Sequence, residues 1–266
     1  MAEQQIDRHS AVPEKLPYDP DKFVNRNPEI NLVLNKARRI VEGEPIERRF
    51  VIIRGQRGSG KTWLLKRLQK HLAGFSTPCF LDLETISREV KPQTLVVDMT
   101  QRPLVVLIDN IDAASETQLD ELEENLLASL TLVPQALIVL AERGPSHVWR
   151  LPELRDESED IDLKPFDRDH VEAQIARQVP DTKADVEEVL AYGGGFPWST
   201  FLIAEHLPAP SALDTCEKAL LGEVDPELRP VFRALSVLRS FDETRMPRVL
   251  KAFSDDFATR SWSYRA

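Results

Sequence analysis

The chain has 266 residues, 42% apolar and 29% charged, which suffices for one large domain or two small ones around a buried core. Acidic residues outnumber basic ones, 44 to 34, so the net charge of −10 repels nucleic acid and anionic lipid in bulk. No stretch approaches the roughly 18 consecutive apolar residues of a membrane span, and the N-terminus lacks the apolar core of a secretory signal. Two cysteines, Cys79 and Cys216, are too few and too far apart for a disulfide framework or a zinc site, which fits a reduced, cytoplasmic setting.

Residues 1–21 show no apolar periodicity, and Val12 to Asp21 holds four charged residues and three prolines, the pattern of a flexible leader. Ile30, Val33, Leu34, Ala37, Ile40 and Val41 recur at three- and four-residue steps and predict a helix over 30–41. The β-branched run Phe50–Ile53 predicts a strand that feeds a glycine loop. After the loop, Leu64, Leu65, Leu68 and Leu72 line one face of a helix over 61–73.

Cys79–Leu83, Leu104–Ile108 and Ala136–Ala141 are apolar nearly throughout, as strands buried on both faces of a parallel sheet are. Leu119, Leu122, Leu126, Leu127 and Leu130 place a helix over 116–130, and a fifth strand is expected at Ile161–Leu163. Strands alternating with helices predict an α/β fold, a parallel five-stranded sheet flanked by helices. Helical patterns follow over 167–179, 183–192 and 198–207. Pro208-Ala-Pro210 reads as a linker, and 212–220, 228–238 and 246–253 are again helical. The expected organisation is a leader over 1–21, an α/β core over 22–165, a helical lid over 166–210 and a further helical segment over 211–266.

Only ten glycines occur, and six of them fall in two loops, 55–60 and 193–195. The first loop, Gly55-Gln56-Arg57-Gly58-Ser59-Gly60-Lys61-Thr62, fits G-x-x-x-x-G-K-[ST] with a strand before and a helix after, the context of a phosphate loop. Such a loop turns its N–H groups toward a nucleoside triphosphate and needs glycine geometry to do so. The helix that follows presents its positive end to the same anion. Lys61 reaches the β- and γ-phosphates and the Thr62 hydroxyl ligates magnesium. Trp63 follows directly and is counted with the nucleotide-binding residues.

Leu104–Ile108 delivers Asp109 at its carboxyl end, where ligands of open α/β sheets bind, and Asp109 is the expected magnesium-linked acid. The next position, where many hydrolysing relatives carry a water-orienting Glu, is Asn110. Asp112 is either the water-orienting carboxylate or the cap of the following helix. At the end of the next strand, Arg143 is either a reporter of the γ-phosphate through a charge-assisted bond or a solvated loop cation. Arg57 is a second cation of the loop, near the phosphates or facing solvent. Gly193-Gly194-Gly195-Phe196-Pro197 breaks one helix and starts another, and reads equally as a structural hinge.

Phe23-Val24-Asn25-Arg26, the phosphate loop, Leu-Ile-Asp-Asn-Ile-Asp, Arg143, Leu163-Lys-Pro-Phe166 and Gly-Phe-Pro occur in that order. The succession resembles the signal-transduction ATPases with numerous domains (the STAND class), relatives of AAA+ ATPases and of NACHT and NB-ARC proteins, over residues 22–207 and more weakly 211–253. The resemblance implies that Val24, Asn25 and Arg26 contact adenine and that Pro197 packs on the base or sugar. Nucleotide would thereby clamp two subdomains together. It further implies that Asp112 assists hydrolysis, and that 228–253 begins a winged helix. The sequence departs from the family in lacking an acid at 110 and a complete winged helix.

The expected activity is that of an ATP- and magnesium-dependent switch with slow hydrolysis and Lys61, Asp112 and Arg143 as catalytic residues. Its output would be self-association or a partner protein. The alternative is an AAA+-type loader or motor on DNA, for which Arg245, Arg248, Lys251, Arg260 and Arg265 would supply contacts that the net charge opposes. A small-molecule kinase lacks an acceptor motif. The absence of a guanine-selective Asn-Lys-x-Asp tetrad favours adenine.

Overall fold

The structure, a computed structural model, describes residues 16–85, 104–144 and 147–207. The expected linker, the helices beyond it with their basic residues and winged-helix-like segment, Cys216 and most of the leader lie outside the described residues. A short 3-10 turn, Pro20–Lys22, precedes helix α1 (Asn27–Val41), strand β1 (Phe50–Arg54), helix α2 (Lys61–Leu72), and strands β2 (Thr77–Asp82) and β3 (Leu104–Asp109). A 3-10 turn, Ile111–Ala113, leads into α3 (Glu116–Leu122), a π-helical stretch (Glu123–Leu127) and α4 (Ala128–Thr131). Strand β4 (Ala136–Glu142), α5 (Pro152–Arg155) and β5 (Glu159–Asp162) complete the α/β part. The helices α6 (Arg168–Gln178), α7 (Val186–Gly193) and α8 (Pro197–His206) follow.

All five strands are parallel, in the order β2-β3-β4-β1-β5. Alternation along the strands splits the core. Val51, Ile53, Val105, Leu107, Leu137 and Val139 pack on one face with the buried residues of α1 and α2. Phe50, Ile52, Val106, Ile108, Ile138 and Leu140 pack on the other with Leu119, Leu122, Leu126 and Leu127. In α2, Leu64, Leu65, Leu68 and Leu72 are all fully buried, each worth about 2 kcal/mol over exposure. Strand β5 is an edge strand and alternates in burial, so its apolar signal is short.

Among the described residues the element types agree with the expectations, and the boundaries shift for identifiable reasons. Strands β3 and β4 each run one residue further, through Asp109 and Glu142, because both carboxylates are buried and bonded inside the ladder's end. The expected helix over 116–130 is interrupted by the π-helical turn beginning at Glu123. The helix expected from 183 starts at Val186, because Asp185 caps the amides of Glu187 and Glu188 while Thr182 holds the amide of Ala184 in a turn. Among the described residues no helix is long and apolar enough to cross a membrane.

Candidate nucleotide-binding site

The strand order decides the site. Because β4 lies between β1 and β3, its tip separates the phosphate loop from Asp109, and all three meet at the carboxyl edge of the sheet. The register sets Arg54 beside Glu142 and Asp82 beside Asp109.

The loop between β1 and α2 turns through Gly58 (φ 80°) and Gly60 (φ 93°), and Gly60 is the N-cap of α2. The first-turn N–H groups of such a helix have no intrahelical acceptor and suit an anion. Lys61 Nζ donates to the carbonyls of Gly55 (2.6 Å) and Gln56 (3.2 Å). Burial holds the Lys61 ammonium below its usual range, opposed by Asp112 and Asp109 and reinforced by Arg143, so these four charges share one neighbourhood.

Asp109 is buried, and its Oδ1 accepts the main-chain N–H of Asn110 at 2.9 Å. Burial raises its carboxyl above the ordinary range, and the Thr62 hydroxyl and the Asn110 amide pull it back. The Oδ2 atom is buried without a hydrogen-bond partner among the described residues. A buried, unpaired carboxylate oxygen beside a Ser/Thr hydroxyl fits magnesium, and Thr62 and Asp109 are the residues that would hold it. Asn110 adopts a left-handed conformation (φ 57°), and its Nδ2 donates to Asp82 Oδ1 at 2.8 Å, so this side chain braces β2 against β3.

Asp112 accepts the main-chain N–H of Arg143 with both oxygens, at 3.0 and 2.9 Å, and its Oδ2 lies 3.6 Å from Arg143 Nε. The cap of α3 is Ser115, which forms a reciprocal capping box with Gln118, so Asp112 is not the helix cap that the sequence left open. Arg143 itself has a largely exposed side chain. The residue at the strand tip is Glu142, buried, paired with Arg54 at 2.7 Å and raised above its usual carboxylate range by that burial.

The N-terminal segment enters α1 through two successive left-handed residues, Asn25 (φ 62°) and Arg26 (φ 69°), an arrangement that costs free energy and must be held by its surroundings. Arg26 is buried and donates to the carbonyls of Ser59 (3.3 Å) and Lys164 (2.8 Å), with its guanidinium 4.8 Å from the centre of the Phe166 ring. It joins the leader side, the phosphate loop and the exit of β5. Val24 and Asn25 are partly exposed beside it, and Trp63 packs edge-on against Tyr18 at 5.5 Å.

Helix α8 sits on the loop. The main-chain N–H of Trp198 donates to the Gly58 carbonyl at 3.1 Å, and a Cβ placed on Gly60 would stand 3.8 Å from Pro197 Cγ. Gln174 Nε2 holds the Pro197 carbonyl at 2.7 Å, and Arg177 and Gln178 hold the carbonyls of Phe23 and Lys22. Gly195 pairs through the main chain with Phe166 so closely that a Cβ there would lie 2.2 Å from the Phe166 carbonyl. Arg57 lies on the same loop and is partly exposed.

Asp82, Glu142, Gln174, Arg177 and Trp198 were not singled out from the sequence. Acids at the strand ends, 82 and 142, are the local signals that pointed to any of them; the others are brought in by helix docking.

The fold, a parallel five-stranded sheet flanked by helices, is that of the P-loop NTPases. The Walker-type ATPase PABY2304 of Pyrococcus abyssi is similar over 90% of this chain and 91% of its own, with a TM-score of 0.55 at 15% identity. A structure on the basis of katanin self-assembly matches over 92% of this chain and 86% of that one (TM-score 0.56, 13% identity). A point variant of RuvB from Thermotoga maritima matches over 92% of this chain and 85% of that one (TM-score 0.52, 16% identity). At these identities the likeness is one of fold. No protein-family profile and no curated protein matches the sequence.

Proposed function

We propose that this chain is an ATP-operated switch of the STAND kind, in which Mg–ATP joins the α/β core to helices α6–α8 and slow hydrolysis resets the arrangement. The observation that carries it is the buried, unpartnered Oδ2 of Asp109 beside Thr62, at the foot of a loop whose lysine is within electrostatic range of Asp109 and Asp112. Magnesium supplies charge neutralisation and orientation to a bound triphosphate. Lys61 would exchange its two loop carbonyls for phosphate oxygens, and Asp112 would orient the attacking water.

Docking of α8 on Gly58 supports the switch over a free-running enzyme, since a phosphate-bearing ligand there alters the surface on which Trp198 rests. A ligand shifts such an equilibrium only by its differential affinity for the two arrangements. Asn110, spent on Asp82, puts no carboxylate at the chain position after Asp109, which favours slow turnover. Self-association is the proposed output, in keeping with a fold that is also found in katanin, whose self-assembly has been studied structurally.

Calorimetric titration of Mg–ATP into the whole chain tests the reading. Saturable binding that Lys61→Ala abolishes is expected; affinity unchanged by that substitution would refute it.

A further inference from the structure

Outside the nucleotide site, the structure gathers three potential ligands where α3 meets the connection after β4. Glu123 begins the π-helical turn, and its side chain is 3% exposed. Its Oε1 accepts the main-chain N–H groups of Arg150 and Leu151, both at 2.6 Å. Its Oε2 has no hydrogen-bond partner among the described residues. It faces His147 Nε2 at 3.6 Å, an atom that is likewise buried and unpartnered on a side chain 7% exposed. The His147 ring is held edge-on by Trp149, with centroids 4.6 Å apart. Asp120 lies one turn before Glu123 on the same helical face, and ligand atoms of all three residues fall within 4.8 Å of one another.

A plain imidazole–carboxylate hydrogen bond would close below about 3.2 Å and pair both atoms. Here the two buried atoms point at each other and stop short. A buried carboxylate oxygen without a partner is costly, and a cation between the two groups removes that cost.

We propose that Asp120, Glu123 and His147 form a binding site for a divalent ion of the zinc type, which ties the β4–α5 connection to α3. One imidazole nitrogen and two carboxylates with an open fourth position for water suit Zn2+, at about 2.0–2.2 Å from each ligand. Closing to that geometry requires Asp120 to release Arg150 Nη2, now at 3.0 Å; the Arg150 side chain is 64% exposed and can turn to solvent. The carboxylate Oε1 of Glu123 keeps its two amides throughout, so the ion replaces the Asp120–Arg150 pair and leaves the buried amide bonds of the loop in place. The proposal stands apart from the nucleotide reading and shares no residue with it.

The test is titration of Zn2+ into the chelator-treated full chain, followed by calorimetry and thermal melting. One equivalent should bind and raise the melting temperature. Affinity should fall at least tenfold in His147→Ala and in Asp120→Asn, a near-isosteric change at a partly exposed position. Asp109→Asn, at the nucleotide site, should keep the zinc site intact. Absence of stoichiometric Zn2+ binding, or binding unchanged in both His147→Ala and Asp120→Asn, would overturn the site. Loss of binding in Asp109→Asn alone would do the same, by placing the ion at the nucleotide site.

Discussion

The main-chain N–H of Trp198 bonds to the carbonyl of Gly58, so the first turn of α8 rests on the phosphate loop itself. Gly58 has φ 80°, and a Cβ added there would lie 2.8 Å from Trp198 Cβ. Gly58→Ala therefore carries a backbone penalty of about 1–2 kcal/mol and a clash with the helix. Undocking of α8 is the expected result, seen as faster limited proteolysis after residue 166 and weaker Mg–ATP binding. Unaltered cleavage would show that the contact is dispensable.

Asp112 is bonded to the Arg143 amide and near Lys61. Asp112→Asn keeps an acceptor for the amide and removes the charge. ATP affinity should change less than about threefold while single-turnover hydrolysis falls on the order of 100-fold, the usual scale for a lost general base. Undiminished turnover would leave Asp112 a brace for the β4 tip.

Asp109 has its carboxyl raised by burial, so folding disfavours its charged form relative to the unfolded chain. For such a group, stability is fully present below the unfolded carboxylate pKa and is lost as pH rises through the higher folded value. Asp109→Asn should thus stabilise the ligand-free protein at neutral pH by on the order of 1 kcal/mol, with the gain shrinking on acidification, and should weaken magnesium-dependent binding. Melting curves across pH, with and without Mg–ATP, check both halves.

Arg26 ties three segments through two carbonyls and the Phe166 ring. Arg26→Ala should cost about 3 kcal/mol in urea denaturation, because charged hydrogen bonds are lost and a strained left-handed entry to α1 is released. A change under about 0.5 kcal/mol would mean that the Asn25–Arg26 conformation is held by other groups.

Much of the architecture was legible in the chain itself. Apolar runs with β-branched residues marked the strands, three- and four-step periodicity marked the helices, and a glycine loop between strand and helix marked the phosphate site. These are local signals, set by backbone geometry and burial on one or both faces. Asn110 as a brace to Asp82, Ser115 rather than Asp112 as the cap, and the π-turn at Glu123 could not be read that way. Each depends on a partner brought near by another element or on how the helix packs.

Residue types and short spacings alone determined that one apolar strand would end near Asp109 and that a glycine loop would lead from another into Lys61 and Thr62 at the head of a helix. Tertiary structure alone decided the strand order that sets Glu142 between them, the descent of Trp198 onto Gly58, and the meeting of His147 with Glu123. Pairing across a sheet and docking of a helix join residues far apart along the chain, and no periodicity within a segment encodes which distant neighbour it will meet.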